Sequence, residues 1–141
     1  MAPFGAGSLA TDDAEIQYLD FFAYLKDVMA GKNSISYTFS DTLGGDTLAI
    51  FSYYLASPFN LLLAFFSKAN IITFFNLLVV LKISMCALTM GVFLRFRFEN
   101  KLKPVYILML SLSYAFMQYN LAQADNIMWL DGVYMLPLII L

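Results

Sequence analysis

Apolar residues in this chain come in long unbroken blocks, and the longest, residues 71–94, holds Lys82 as its single charge. At a helical rise of about 1.5 Å per residue that block reaches about 36 Å, enough to cross a hydrocarbon core about 30 Å thick with some tilt. A helix lying on a soluble core would show polar residues every third or fourth position, and this block does not. The pattern therefore predicts a transmembrane helix over 71–94. A second block, 104–120, opens with Pro104, a residue suited to the first turn of a helix. A third begins at Met128-Trp129-Leu130-Asp131 and is still apolar at Leu141, which predicts spans near 104–120 and 129–141. Between the second and third, 120–126 reads as a short turn carrying Asp125.

The first 69 residues follow a different pattern. Residues 1–12 read as a loop bearing Gly and Pro, and 13–29 as a helix stopped by Gly31 and Asn33. Asp12 and Glu15 have the spacing of a capping box, with Asp in place of Ser or Thr. Placed at 100° steps, Asp13, Gln17, Asp20, Tyr24 and Asp27 share an arc of about 80°, and apolar residues fill most of the remainder. Such a helix lies on a membrane surface or against other helices, with one narrow polar stripe. Residues 31–46 are polar and rich in turn formers. Gly44-Gly45 permits unusual backbone angles, but the spacing is no phosphate-binding fingerprint. Residues 47–66 are apolar yet interrupted by Pro58, which predicts two short helices near 46–56 and 59–67, with Tyr53 and Tyr54 at an interface.

Charge orients this arrangement. Arg95, Arg97, Lys101 and Lys103 crowd the end of the first span beside one acid, Glu99. Basic residues next to a span resist translocation, so 95–103 is expected inside the cell, with residues 1–69 and 120–128 outside. The region up to Lys68 is acidic, with Asp12, Asp13, Glu15, Asp20, Asp27, Asp41 and Asp46 against Lys26, Lys32 and Lys68. Composition agrees: the chain is 61% hydrophobic and 17% aromatic, beyond the range of ordinary soluble domains. The expected fold class is all-α, a polytopic transmembrane helical protein with interfacial helices in a first extracytoplasmic loop. No basic patch for nucleic acid is present. Cys86 is the single cysteine, read as a small buried residue, and without histidine no metal motif exists. Met1-Ala2-Pro3-Phe4-Gly5 lacks the regions of a signal peptide. Both ends look cut, so a fragment of a longer membrane protein is expected.

Ionisable residues in the spans stand out on energetic grounds. Lys82 lies near the middle of the first span, where a charge costs about 2.5–3.5 kcal/mol on translocon scales, so it should face protein or a polar cavity. An ion pair joining helices and contact with an anionic group are both consistent with it. Asp131, near the outer surface, either lines an outward-facing cavity or caps its helix. The stripe of Asp13, Asp20 and Asp27 is read as either a solvated face or a substrate face.

Several blocks carry a family resemblance: Pro3-Phe4-Gly5, Asp13-Ala14-Glu15-Ile16-Gln17-Tyr18-Leu19-Asp20, Gly44-Gly45, Tyr53-Tyr54-Leu55-Ala56-Ser57-Pro58-Phe59-Asn60, Leu81-Lys82 and Asn126-Ile127-Met128-Trp129-Leu130-Asp131. In order and spacing they resemble the bacterial YfhO-like membrane proteins. The resemblance implies a multi-pass glycosyltransferase of the GT-C type in the bacterial cell membrane, active in glycosylation of lipoteichoic acid and similar polymers. It implies a polyprenyl-phosphate sugar donor, a cell-surface polymer acceptor and an essential acid in the first outer loop, matched here by Asp13. Asp12 is the extra neighbour and reads as the helix cap. Gln17, Asp20, Lys82 and Asp131 are the candidate substrate-binding residues. No metal ligand is assigned, although a divalent cation is compatible with the chemistry. The fragment alone is expected to be inactive.

The residues fit that chemistry on their own terms. A hydroxyl acceptor is a poor nucleophile, and a carboxylate base assists by about 10²–10⁴-fold. Phosphate is already a fair leaving group, so a second carboxylic acid is less needed than in glycoside hydrolysis. The alternative is a transporter or lipid-carrier-binding protein without chemistry, with Lys82 and Asp131 on a substrate path.

Overall fold

The longest helix, α3, spans Ile71–Arg97, three residues past the end of the apolar block. The computed structural model describes residues 7–11, 14–38, 45–99 and 101–141. The chain divides into two compact units, Met1–Asn76 and Leu77–Leu141. Among the described residues the strands are confined to one two-residue antiparallel pair, and the rest of the regular structure is helical. By length and composition two segments, Lys68–Arg97 and Pro104–Ala122, are able to cross a membrane.

In the first unit, residues 14–29 are helical as expected, with Ala14–Tyr18 wound as a π-helix that leads into α1, Leu19–Met29. The stop is at Gly31, whose φ of 72° an L side chain resists. There the backbone N–H groups of Ala30 and Gly31 donate to the carbonyls of Lys26 and Val28. Ala14, Tyr18, Phe22 and Leu25 form the buried stripe. Tyr18 meets Tyr54 edge-on at 5.5 Å and Phe75 at 6.0 Å, and Phe22 meets Phe74 at 5.1 Å. Aromatic pairs in such tilted geometries add about 0.5–1.5 kcal/mol each beyond their buried area.

Strands β1, Tyr37–Thr38, and β2, Gly45–Asp46, pair Tyr37 with Asp46 and Thr38 with Gly45. Asp46 then caps α2, Thr47–Ile50, by accepting from the Leu48 N–H. The chain continues as a π-helix over Phe51–Leu55, turns by 100°, and forms a 3-10 helix over Pro58–Phe65. The two short helices expected on either side of Pro58 are therefore present. Ser57, before the proline, is extended, as that position requires. Asn60 donates from Nδ2 to the Leu55 carbonyl, and Lys26 donates to the carbonyls of Leu63 and Ala64, so side chains satisfy the carbonyls that the broken helices leave over. Asn76 accepts from the Leu9 N–H at 2.9 Å and ties the segment at 7–11 to α3.

In the second unit, Glu99, two residues past the end of α3, is in the left-handed region at φ 52°. Then α4, Pro104–Ala115, α5, Gln118–Ala122, and α6, Ile127–Ile139, follow. The single helix expected over 104–120 is broken at Met117, which is extended. Buried Asn120 explains the break, because its Nδ2 donates to the carbonyls of both Tyr114 and Ala115 and so closes the end of α4. Tyr114 donates to the Val133 carbonyl and joins α4 to α6. Trp129 stacks on Tyr119 and is partly exposed. Cys86 is a free thiol and fully buried.

Candidate functional site

The polar stripe of α1 and the turn before it faces a cleft of about 470 Å³ within the first unit. Gln17 and Asp20 line it, together with Tyr24, Asp27, Asn33 and Thr47, over an apolar wall that includes Phe21 and Leu55. The stripe falls on one side because its residues recur at three- and four-residue intervals, while Tyr18, Phe22 and Leu25 point into the aromatic core. Tyr24 donates to the Ser34 carbonyl at 2.6 Å and holds the loop that brings Asn33 to the cleft. Asp27, one of the acids of the stripe, is ion-paired with Lys68. That pair is substantially exposed and contributes little to stability.

Thr47, missed by the sequence reading, is buried at the cleft wall, and its hydroxyl has no hydrogen-bond partner among the described residues. A buried hydroxyl without a partner costs about 1–3 kcal/mol. A hydroxyl residue just after a capping Asp gave no signal of that kind in the sequence. Asp12, Asp13 and Gly44 lie outside the described residues. Asp13 precedes Gln17 by four positions in sequence.

The other candidates meet in the second unit. Lys82 is 1% exposed, and its Nζ donates to Asp131 Oδ2 at 2.8 Å and to the Ile127 carbonyl at 2.9 Å. Asp131 is more accessible, its side chain 26% exposed. Of the two arrangements open for Lys82, the structure contains the ion pair between helices, which links α3 to the first turns of α6. An ammonium in an apolar bundle needs such acceptors, and a second acceptor in the Ile127 carbonyl leaves its charge well compensated.

Among the described residues no three His, Cys, Asp or Glu side chains are grouped to hold a metal ion. Chemically, the cleft along α1 offers carboxylate, amide and hydroxyl groups over an aromatic wall, a combination that can bond hydroxyl groups while packing an apolar face. No curated protein and no solved structure matches the chain. The family model described as "Bacterial membrane protein YfhO" matches residues 1–141, the whole of the sequence. With two apolar helical segments long enough to cross a bilayer, the protein is a membrane protein, and it belongs to the YfhO family.

Proposed function

We propose that the chain is part of a GT-C type glycosyltransferase that moves a sugar from a polyprenyl-phosphate donor to a cell-surface polymer, such as teichoic acid, on the outer face of the bacterial membrane. The observation that supports this best is the cleft along α1, which Gln17, Asp20 and Thr47 line together with Phe21. Sugars present hydroxyls at their rims and C–H groups on their faces, and both find partners there. In this reading Asp13 takes the acceptor proton as general base, and Gln17 and Asp20 hold sugar hydroxyls. Asp131 contacts the substrate in its own unit, and Lys82 positions Asp131.

Two outcomes follow for the first unit. Gln17→Ala and Asp20→Ala should each raise the KM for the donor about tenfold, the effect of losing one hydrogen bond to a charged or well-placed group. Glu15→Gln, exposed and outside the cleft, should leave it unchanged. Steady-state transfer kinetics on the intact protein check this, and equal KM values across all the variants would remove the cleft from the mechanism.

The outer-face assignment has its own test, because it rests on the charge asymmetry around α3. On a Cys86→Ala background, Ser36→Cys should react with an impermeant maleimide in intact cells, and Lys101→Cys only after membrane disruption. The reverse pattern would place the cleft inside the cell and exclude an outer-face reaction.

A carrier that binds the lipid-linked sugar without transferring it is the second reading. The Lys82–Asp131 pair favours it, since charges retained within apolar helices commonly lie on substrate pathways.

A further inference from the structure

The first unit holds three lysines, and the fold engages each differently. Lys26 is committed to the backbone, its Nζ donating to the carbonyls of Leu63 and Ala64 near the end of the 3-10 helix over Pro58–Phe65. Lys32 is exposed on the loop after α1 and does not line the cleft. Lys68 is the cation that reaches the cleft. Its Nζ donates to Oδ2 of Asp27, one of the two acids, with Asp20, that line it.

The Lys68 ammonium is both accessible and exchangeable. Its side chain is 51% exposed and that of Asp27 22%, and a pair so open to water is held weakly. Connectivity sets its depth. Lys68 is the first residue of the segment Lys68–Arg97, which is able to cross a membrane, so it stands where the hydrocarbon gives way to the headgroup layer. Shortly before it, Leu61 and Phe65 are 70% and 85% exposed, apolar surface that suits acyl chains. Lys68 thus follows an exposed apolar segment in the chain and touches a polar cleft through its side chain. A sugar carried on a lipid phosphate has the matching groups: an apolar chain, an anion at headgroup level and a ring of hydroxyls. Without a cation, that anion would meet only the carboxylates of Asp20 and Asp27.

We propose that Lys68 binds the phosphate of the lipid-linked donor, exchanging the Asp27 carboxylate for a phosphate oxygen; this rests on the donor class argued above. The released Asp27 lines the cleft and accepts from a sugar hydroxyl, so both halves of the pair gain a partner. During transfer the bond from the anomeric carbon to the phosphate oxygen breaks while the bond to the acceptor oxygen forms. The electron pair stays on the phosphate, and the hydroxyl proton goes to Asp13. The departing polyprenyl phosphate is a monoester carrying more negative charge than the donor, so the Lys68 contact strengthens as the bond breaks.

The test is equilibrium binding to the intact protein in detergent, with labelled polyprenyl phosphate as the probe. Polyprenol of the same chain length and phosphatidylglycerol serve as competitors. Wild type should bind the probe about tenfold more tightly than either competitor. Lys68→Gln should weaken probe binding about tenfold and leave polyprenol unchanged, whereas Lys68→Arg should keep the probe bound. Asp27→Asn should strengthen probe binding about threefold, because the competing carboxylate is gone. These opposite signs separate a phosphate ligand from a strut, since loss of a merely structural pair would weaken binding in both variants. Lys32→Gln should change nothing. Unchanged probe binding in Lys68→Gln overturns the proposal. So does a loss shared by Asp27→Asn, or phosphatidylglycerol that competes as well as unlabelled probe. Binding is read without turnover, so the two readings fail separately: a protein that holds the probe through Lys68 yet transfers no sugar keeps the phosphate site and loses the transferase.

Discussion

Asp13→Asn in the intact protein is expected to remove nearly all sugar transfer while leaving the protein folded in the membrane. Asn keeps the size of the side chain and its hydrogen-bonding capacity but cannot take a proton. Loss of a general base costs about 10²–10⁴-fold, so residual transfer should fall near the background of the assay. Asp12→Asn is the paired control. It should be close to silent, because Asn caps a helix about as well as Asp. Both positions lie outside the described residues, and the choice between them rests on the sequence, where Asp13 continues the four-residue spacing of Gln17 and matches the family's acid before Gln-Tyr. Incorporation of labelled sugar at matched protein levels decides it. Wild-type transfer in Asp13→Asn, or a loss confined to Asp12→Asn, would move the base elsewhere.

The next largest effect is expected on stability, at the buried ion pair. Lys82 is fully enclosed, whereas Asp131 keeps a quarter of its side chain exposed, so the two deletions are not equivalent. Asp131→Ala strands an ammonium in apolar surroundings with the Ile127 carbonyl as a remaining acceptor, and should destabilise the protein by about 3–5 kcal/mol. Lys82→Met leaves a carboxylate that water reaches, and should be milder. The double variant Lys82→Met/Asp131→Leu should recover most of the loss, since matched apolar residues often replace a buried pair without penalty. Thermal unfolding in detergent orders the three variants. A double variant less stable than Asp131→Ala would show that the pair is not the dominant interaction at this site.

What the sequence could disclose depended on which solvent each face meets. The length of α3 was legible because lipid demands an unbroken apolar run. Its buried stripe, Phe75, Val79, Lys82, Cys86 and Thr89, was not, because the opposite face is just as apolar and the helical period disappears. In the helix over 14–29 the polar face was readable, yet its apolar arc is wide, and only packing distinguishes buried Tyr18 and Phe22 from Ile16, which is 73% exposed. The energetic argument that Lys82 needs company held without any structure. Its partner, 49 residues further on, is a tertiary fact that spacing does not encode. Asn60 and Asn120 were overlooked for a related reason: an amide inside an apolar run signals a carbonyl to be satisfied, and each closes a helix end that the hydropathy pattern runs straight through. The ion pair of Asp27 with Lys68 likewise joins residues 41 positions apart.

The measurement that bears most directly on the central claim follows the fate of a labelled polyprenyl-phosphate sugar in right-side-out membrane vesicles containing the intact protein and a teichoic acid acceptor. The account predicts that label leaves the lipid and appears in the polymer, that polyprenyl phosphate accumulates in equal amount, and that Asp13→Asn stops both. Label that is bound or moved across the membrane while remaining on its lipid would contradict it and establish the carrier.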